Sequence, residues 1–422
     1  MSLFARLARD SLWLSIARVG AQVCMVIVTY LLARRLSLAE FGEYSFIAAA
    51  ILIGNTLTTF GSDMVLIRDI AAKTALSHLS PALILQLALS GLSILLVFVL
   101  TPYLPNQSSE SLYALRIYSL ALIPLAFFTV FTSALRGVQK MGSYAWLNLT
   151  VAALQLVVIL LFIPPGVGIV WLASWLLIVQ AAAAILAGIL CVLYIPHFRQ
   201  GWHFTRSALN ALFFECLPIA AIATLGILNQ RITITMLSIL GSAALTGSFS
   251  AATRAVEATR LVHFSALTAI YPAMARADAN EDAHKILRRA WSALIVMAIG
   301  ITILLFFLAE PLISLFFGMR YAEAIPVLKI LSLTLIPYSI NSFLSLVFLT
   351  AKAEKGLMRV LLVSLMVLLF SNFWLIPRLG TVGAGWSVLA AETVQSGLLL
   401  FAWKAGILAP RKGVSRELPD LS

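Results

Sequence analysis

Charge is what this sequence has least of. Only 11% of its 422 residues are Asp, Glu, Lys or Arg, against about 25% in soluble domains. A water-soluble domain needs a charged exterior, so that class is excluded. With 61% hydrophobic residues, disorder is excluded for the same reason. Cysteine is nearly absent. Cys24, Cys191 and Cys216 each sit in an apolar run and form no CxxC, so no disulfide scaffold, redox pair or zinc site is indicated. Long polar connections are also missing. The longest outer one, 103–111, offers only Glu110 as an acid, and no nucleophile–base constellation occurs anywhere. Gly166-Val167-Gly168 is a turn between apolar runs, not a phosphate loop, since no strand precedes it.

Long apolar runs are what is present. The mean hydropathy is +1.01, and twelve apolar segments can be marked: 11–33, 41–64, 80–102, 112–134, 143–164, 168–194, 211–240, 244–273, 290–317, 326–349, 357–377 and 381–408. Each reaches the roughly 20 residues a membrane helix needs. The runs are continuously apolar rather than alternating, which excludes a strand barrel. The expected fold class is an all-α polytopic membrane protein with twelve transmembrane helices. The first segment holds Arg18 and Gln22 and ends in Ala33-Arg34-Arg35, so it reads as a retained helix rather than a cleaved signal.

The formal charge of +12 is explained by topology. With both termini cytoplasmic, 19 basic residues fall on the inner side and 6 on the outer, a strong positive-inside bias. Nothing is left over to support a nucleic-acid partner. Most tryptophans fall at segment ends, as an aromatic belt requires. Trp175, a turn deeper, is the one to consider as a sugar contact.

An internal repeat is the most specific signal. Residues 115–124 read LRIYSLALIP and residues 328–337 read LKILSLTLIP, with seven of ten identical. The offset of 213 persists to Ile163-Pro164 and Ile376-Pro377. The chain therefore reads as two six-helix lobes, 1–204 and 205–422, joined in the polar stretch 197–210. Six is even, so the lobes are parallel repeats around a central cavity, the shape of an alternating-access transporter. Pro124, Pro218 and Pro337 lie within spans and are candidate hinges.

Charges inside the spans mark the candidate site. Each costs about 2.5–3.5 kcal/mol at mid-membrane. Arg254, Glu257 and Arg260 recur every three residues in the eighth segment, which keeps them on one helix sector where Glu257 can bridge either arginine. Asn229, Gln230 and Arg231 lie in the seventh segment and Arg18 in the first. Counting Glu257 as the one mid-membrane carboxylate, these charges sum to +3. A cationic cavity selects an anion, and the planar guanidinium suits phosphate oxygens. His263 reads as a packed polar residue, and Asp63, Arg68 and Asp69 as an interfacial ion cluster.

The stretches LLARRLSLAEFGEYSF (31–46), GSDMVLIRDIA (61–71), NQRITITMLSILGSAALTGSFSAATRAVEA (229–258) and GTVGAGWSVLAAE (380–392) resemble the polysaccharide flippases of the multidrug/oligosaccharidyl-lipid/polysaccharide exporter superfamily. The resemblance covers nearly the whole chain. It implies twelve helices in two lobes and movement of an undecaprenyl-diphosphate-linked oligosaccharide across the bacterial inner membrane. Ile16-Ala17-Arg18-Val19-Gly20 is similar to the start of the related lipid II flippases, which implies a cavity-lining role for Arg18. The sequence departs from many relatives at Thr233, where they carry an acidic residue, and this weakens any case for ion coupling through the seventh segment.

The resemblance implies a transporter rather than an enzyme. Its partners would be the lipid-linked substrate, membrane lipids, and the glycosyltransferases and glycan polymerase of the same pathway, with no cofactor. Two alternatives remain: a drug or metabolite antiporter of the same fold, which the cationic balance argues against, and a membrane glycan polymerase or ligase, which the short loops argue against.

Overall fold

The computed structural model describes residues 3–72, 78–195, 198, 202, 204–274, 281–350 and 353–405. Within these, the side chains of residues 3–16, 18, 261, 262, 264–274, 281–288, 290 and 350 lie outside the description. Among the described residues every regular element is a helix and none is a strand, as expected of continuously apolar runs whose backbone groups must be satisfied within one segment. The chain divides into two compact units, Met1–Ile227 and Leu228–Ser422. That division falls inside a helix, and the polar stretch 197–210 lies in part outside the described residues.

The first unit contains α1 (Leu3–Arg35), α2 (Leu38–Thr59), α3 (Ser62–Ala71), α4 (Leu79–Leu100), α5 (Ser109–Ser119), α6 (Leu122–Gly137), α7 (Met141–Phe162), α8 (Ile169–Tyr194) and the start of α9 (Arg206–Leu240). The motif at 31–46 is built to terminate helices. Arg35 Nη1 donates to the carbonyls of Ile159 at 2.5 Å, Leu160 at 3.2 Å and Ile163 at 2.6 Å. It thereby caps the C-terminus of α7, where a cation also meets the negative end of the helix dipole. Ser37 and Glu40 form a reciprocal capping box at the start of α2. Ser108 accepts the Ser111 N–H at the start of α5 and donates to Glu43 at 2.6 Å.

Between α2 and α3 the chain bends by 46°. Phe60 and Gly61 both adopt left-handed conformations there, with φ of 52° and 70°. A Cβ on Gly61 would lie 2.7 Å from the Ile219 side chain, so this position needs glycine for its φ and for the close approach of α9. The ion cluster just beyond the bend ties three helices together. Arg68 meets Asp69 at 2.7 Å and Glu215 at 2.6 Å, and His78 Nδ1 lies 2.8 Å from Asp69.

The second unit holds the rest of α9 together with α10 (Ala243–Met274), α11 (Glu281–Phe307), α12 (Ala309–Phe316), α13 (Ala324–Leu333), α14 (Leu335–Thr350) and α15 (Glu354–Lys404). At 51 residues, a straight α15 would be about 76 Å long, more than twice the hydrocarbon thickness of a bilayer. It is not straight. Gly380 breaks it with φ 55° and ψ −129°, and Ser364 Oγ donates to the Ala391 carbonyl at 3.2 Å. Those residues are 27 positions apart, so the chain doubles back at Gly380 and the two limbs run side by side.

The two repeat stretches carry the same local break. Ser119 and Ser332 each donate to the carbonyl three residues earlier, Arg116 and Lys329, at 2.7 Å. The N–H groups of Ala121 and Thr334 each bond the carbonyl three back, at 3.0 and 3.1 Å. One helix ends there and the next begins. Pro124 and Pro337 then occupy the first turns of α6 and α14, where no intrahelical N–H is needed. They follow the breaks instead of hinging a continuous helix, unlike Pro218, which lies inside α9.

By length and composition, six helical stretches among the described residues can cross a membrane, or nine if each of three bent pairs counts as one. Large apolar side chains such as Leu161, Phe370 and Phe373 are mostly exposed, as a hydrocarbon surround allows and water does not.

Candidate functional site

The intramembrane charges of the second unit form two adjoining clusters. In the first, Glu257 on α10 accepts from Arg231 Nη1 on α9 at 2.5 Å and from Arg254 Nη1, one turn back on its own helix, at 3.2 Å. In the second, Arg260 lies 3.6 Å from Glu392, on the returning limb of α15. Its guanidinium stands 4.2 Å from the ring centroid of Tyr338 on α14, an arrangement that stabilises a cation in poorly hydrated surroundings. Asn341, one turn further along α14, donates to Glu392 Oε2 at 2.7 Å and to the Glu392 carbonyl at 3.0 Å. Ser396 Oγ in turn donates to Asn341 Oδ1 at 2.9 Å.

This geometry bears out one expectation and corrects another. Glu257 bridges Arg254, one of the two arginines within its reach on α10, and takes Arg231 of α9 as its second partner. It is not the one carboxylate among these arginines, because Glu392 faces Arg260. With Glu392 counted, the formal excess falls from +3 to +2, and the three arginines with described side chains meet two glutamates. The balance stays cationic but is far more internally paired than the sequence indicated.

The clusters retain unused donors. The Nε atoms of Arg231 and Arg260 are buried without a hydrogen-bond partner among the described residues. Arg231, Arg254 and Arg260 keep 15%, 30% and 20% of their side-chain surface exposed. A guanidinium with free donors and partial access can accept an additional anionic oxygen.

The remaining candidates divide. Asn229 faces α15, donating to the Leu361 carbonyl at 3.1 Å, with its Oδ1 3.2 Å from Ser364 Oγ, whose one proton it shares with the Ala391 carbonyl. One turn on, buried Thr233 accepts from Asn372 at 3.0 Å. This polar seam joins α9 to α15. Gln230 is exposed. The Arg18 side chain lies outside the described residues. In the first unit, Trp175 stacks on Phe162 with ring centroids 4.2 Å apart, so one of its faces is already covered.

Glu392, Asn341 and Tyr338 are functional candidates that the sequence reading missed. A signal existed for Glu392, a lone acid well inside the last apolar run. Nothing local marks Asn341 or Tyr338.

Comparison with known proteins now places the fold. It resembles the inward closed lipid II flippase MurJ, with a TM-score of 0.75 at 16% identity over 93% of this chain and 87% of that one. It also resembles an inward-facing multidrug resistance MATE family transporter, with a TM-score of 0.72 at 14% identity over 93% and 96%. A third likeness is to a transporter from Pyrococcus furiosus Vc1, with a TM-score of 0.68 at 14% identity over 95% of each chain. The fold is thus one shared with helical transporters of the multidrug/oligosaccharidyl-lipid/polysaccharide exporter superfamily. Residues 7–278 match the family model for polysaccharide biosynthesis proteins, and residues 148–415 match that for the lipid II flippase MurJ. The chain belongs to the polysaccharide biosynthesis protein family and, through its later two-thirds, to that of the MurJ flippases. No curated protein matches it by sequence.

Proposed function

We propose that this protein is a flippase that carries an undecaprenyl-diphosphate-linked oligosaccharide repeat unit from the inner to the outer leaflet of the bacterial cytoplasmic membrane by alternating access. The observation that carries the reading is the set of three arginines, Arg231, Arg254 and Arg260, held within the apolar second unit, with the Nε donors of Arg231 and Arg260 lacking a hydrogen-bond partner among the described residues. Keeping such groups in a membrane is costly, and a diphosphate matches both their charge and their planar fork. The family matches support a lipid-linked substrate.

In this reading twelve helices form two parallel six-helix lobes, and the 19-to-6 distribution of basic residues puts both termini in the cytoplasm. Outward transfer moves negative charge toward the positive face, which a potential of about 100 mV favours by about 2.3 kcal/mol per charge.

The likeness to MATE transporters supports a second reading, a drug or metabolite antiporter. The described carboxylates disfavour cationic drugs, because Glu257 and Glu392 both face arginines. The Pyrococcus relative is described by a reverse polarity of its binding pocket that suggests a different function, so pocket polarity is a reasonable discriminator within this fold. Reconstitution tests the choice. Proteoliposomes should translocate a fluorescent undecaprenyl-diphosphate-linked oligosaccharide, and Arg260→Ala should abolish it. Efflux of an organic cation with no flipping would establish the antiporter instead.

A further inference from the structure

Arg260 is held unlike the other two arginines. Arg231 and Arg254 share one carboxylate, at 2.5 and 3.2 Å. Arg260 has its own, Glu392, but at 3.6 Å, longer than a charge-assisted hydrogen bond. Its Nε is buried with no partner among the described residues, and Tyr338 supports its guanidinium. Glu392 is restrained from elsewhere. Asn341 engages its Oε2 at 2.7 Å and its backbone carbonyl at 3.0 Å, and Asn341 is itself bonded by Ser396 at 2.9 Å. With one oxygen engaged this way, Glu392 is not free to close both oxygens onto the guanidinium fork. The separation is therefore set by three helices, α10, α14 and the returning limb of α15, and not by the pair alone. A pair serving only to neutralise buried charge gains most from short, fully bonded contact. This one is kept loose and leaves a donor unused.

We infer that Glu392 is a positioning residue, a resident counter-ion that competes with the substrate diphosphate for Arg260. The inference rests on the flippase reading and names the device that limits how tightly the anion is held. In the empty site Glu392 offsets the charge of Arg260, which would otherwise be costly at this depth. An arriving diphosphate forms short bidentate bonds to the guanidinium and displaces the looser contact. Glu392 stays in place, held by Asn341, and re-engages Arg260 as the diphosphate leaves. Affinity is lowered and release is hastened by the same residue. An anion site of several arginines with no such competitor would hold its substrate longer and turn over more slowly.

The test is equilibrium binding of undecaprenyl diphosphate to the purified full chain in nanodiscs, paired with the flipping rate in proteoliposomes. Glu392→Gln keeps the side-chain size and the oxygen that accepts from Asn341 but removes the charge. It should bind the probe about tenfold more tightly and flip more slowly. Glu392→Asp draws the carboxylate back and should shift both quantities the same way by less, which keeps the question open to measurement if the glutamine variant is poorly made. Adding Arg260→Ala to Glu392→Gln should cancel the gain. A residue with a purely structural role would weaken binding when replaced, so unchanged or weaker binding in folded Glu392 variants, beside a wild type that binds, overturns the inference and leaves the flippase reading intact. Failure of folded wild-type protein to bind the probe overturns both.

Discussion

Arg231 and Glu257 meet at 2.5 Å across two helices, α9 and α10, and Arg254 reaches the same carboxylate at 3.2 Å. One acid thus orients two arginines. Removing it would leave two cations facing each other in apolar surroundings.

This arrangement gives Glu257 an organising role. Glu257→Gln should keep a measurable flipping rate in proteoliposomes, lowered several-fold, and the rate should still respond to an imposed potential. Should the variant flip substrate yet lose a response to a proton or sodium gradient that drives the wild type, Glu257 is the coupling site instead.

Each arginine should matter by its shape as well as its charge. Arg231→Ala and Arg254→Ala should abolish glycan export at normal protein level, and the lysine variants should restore it only in part, because lysine keeps the charge and loses the fork. Full export by both alanine variants would reduce these residues to ion-pair scaffolding.

Arg35 should act on stability and not on recognition. Its three carbonyl contacts close the end of α7. Arg35→Ala leaves those acceptors without their charged donor and should cost about 1–3 kcal/mol. A lower thermal midpoint in detergent is the expected reading, with binding of undecaprenyl diphosphate by the remaining folded protein unchanged.

At Gly61 both conformation and space are restrictive. Gly61→Ala forces a side chain onto φ 70° and against Ile219 and should destabilise by about 1–3 kcal/mol. Pairing it with Ile219→Ala should recover only the part due to crowding. Complete recovery in the double variant would show that the backbone is not strained.

Topology is open to reporter fusions. Those after Pro105 and Gly380 should read external, and those after Lys140 and Phe204 internal. Gly380 is a sharp test because the structure puts the reversal of α15 there. An external signal at Phe204 would rule out two six-helix lobes.

The all-helical, membrane-type character of the chain was legible in the sequence because the forces that set it are local. Helix and membrane crossing follow from the length of an apolar run, since the bilayer penalises any backbone group left unsatisfied within it. The repeated LRIYSLALIP and LKILSLTLIP carry the same serine-to-carbonyl bond and the same helix break. The breaks themselves were harder to see. Hydropathy is blind to the difference between one bent helix and two short ones, so the prolines of those motifs looked like hinges.

The candidate site was legible in its arginines and in Glu257, but not in Glu392 or the α14 residues around it. Arg254, Glu257 and Arg260 announce themselves by their three-residue spacing on one helix, and lone charges in apolar runs are conspicuous. From sequence alone, charge costs in a membrane determined that these arginines must be paired, solvated or functional. Which acid pairs with which arginine was decided by tertiary structure, because the partners come from different helices. Glu392 reaches Arg260 only because α15 turns back at Gly380, and its other carboxylate oxygen is engaged by Asn341, contributed by α14. Helical periodicity orders residues along one axis, whereas electrostatic pairing depends on distances between axes, which only packing sets.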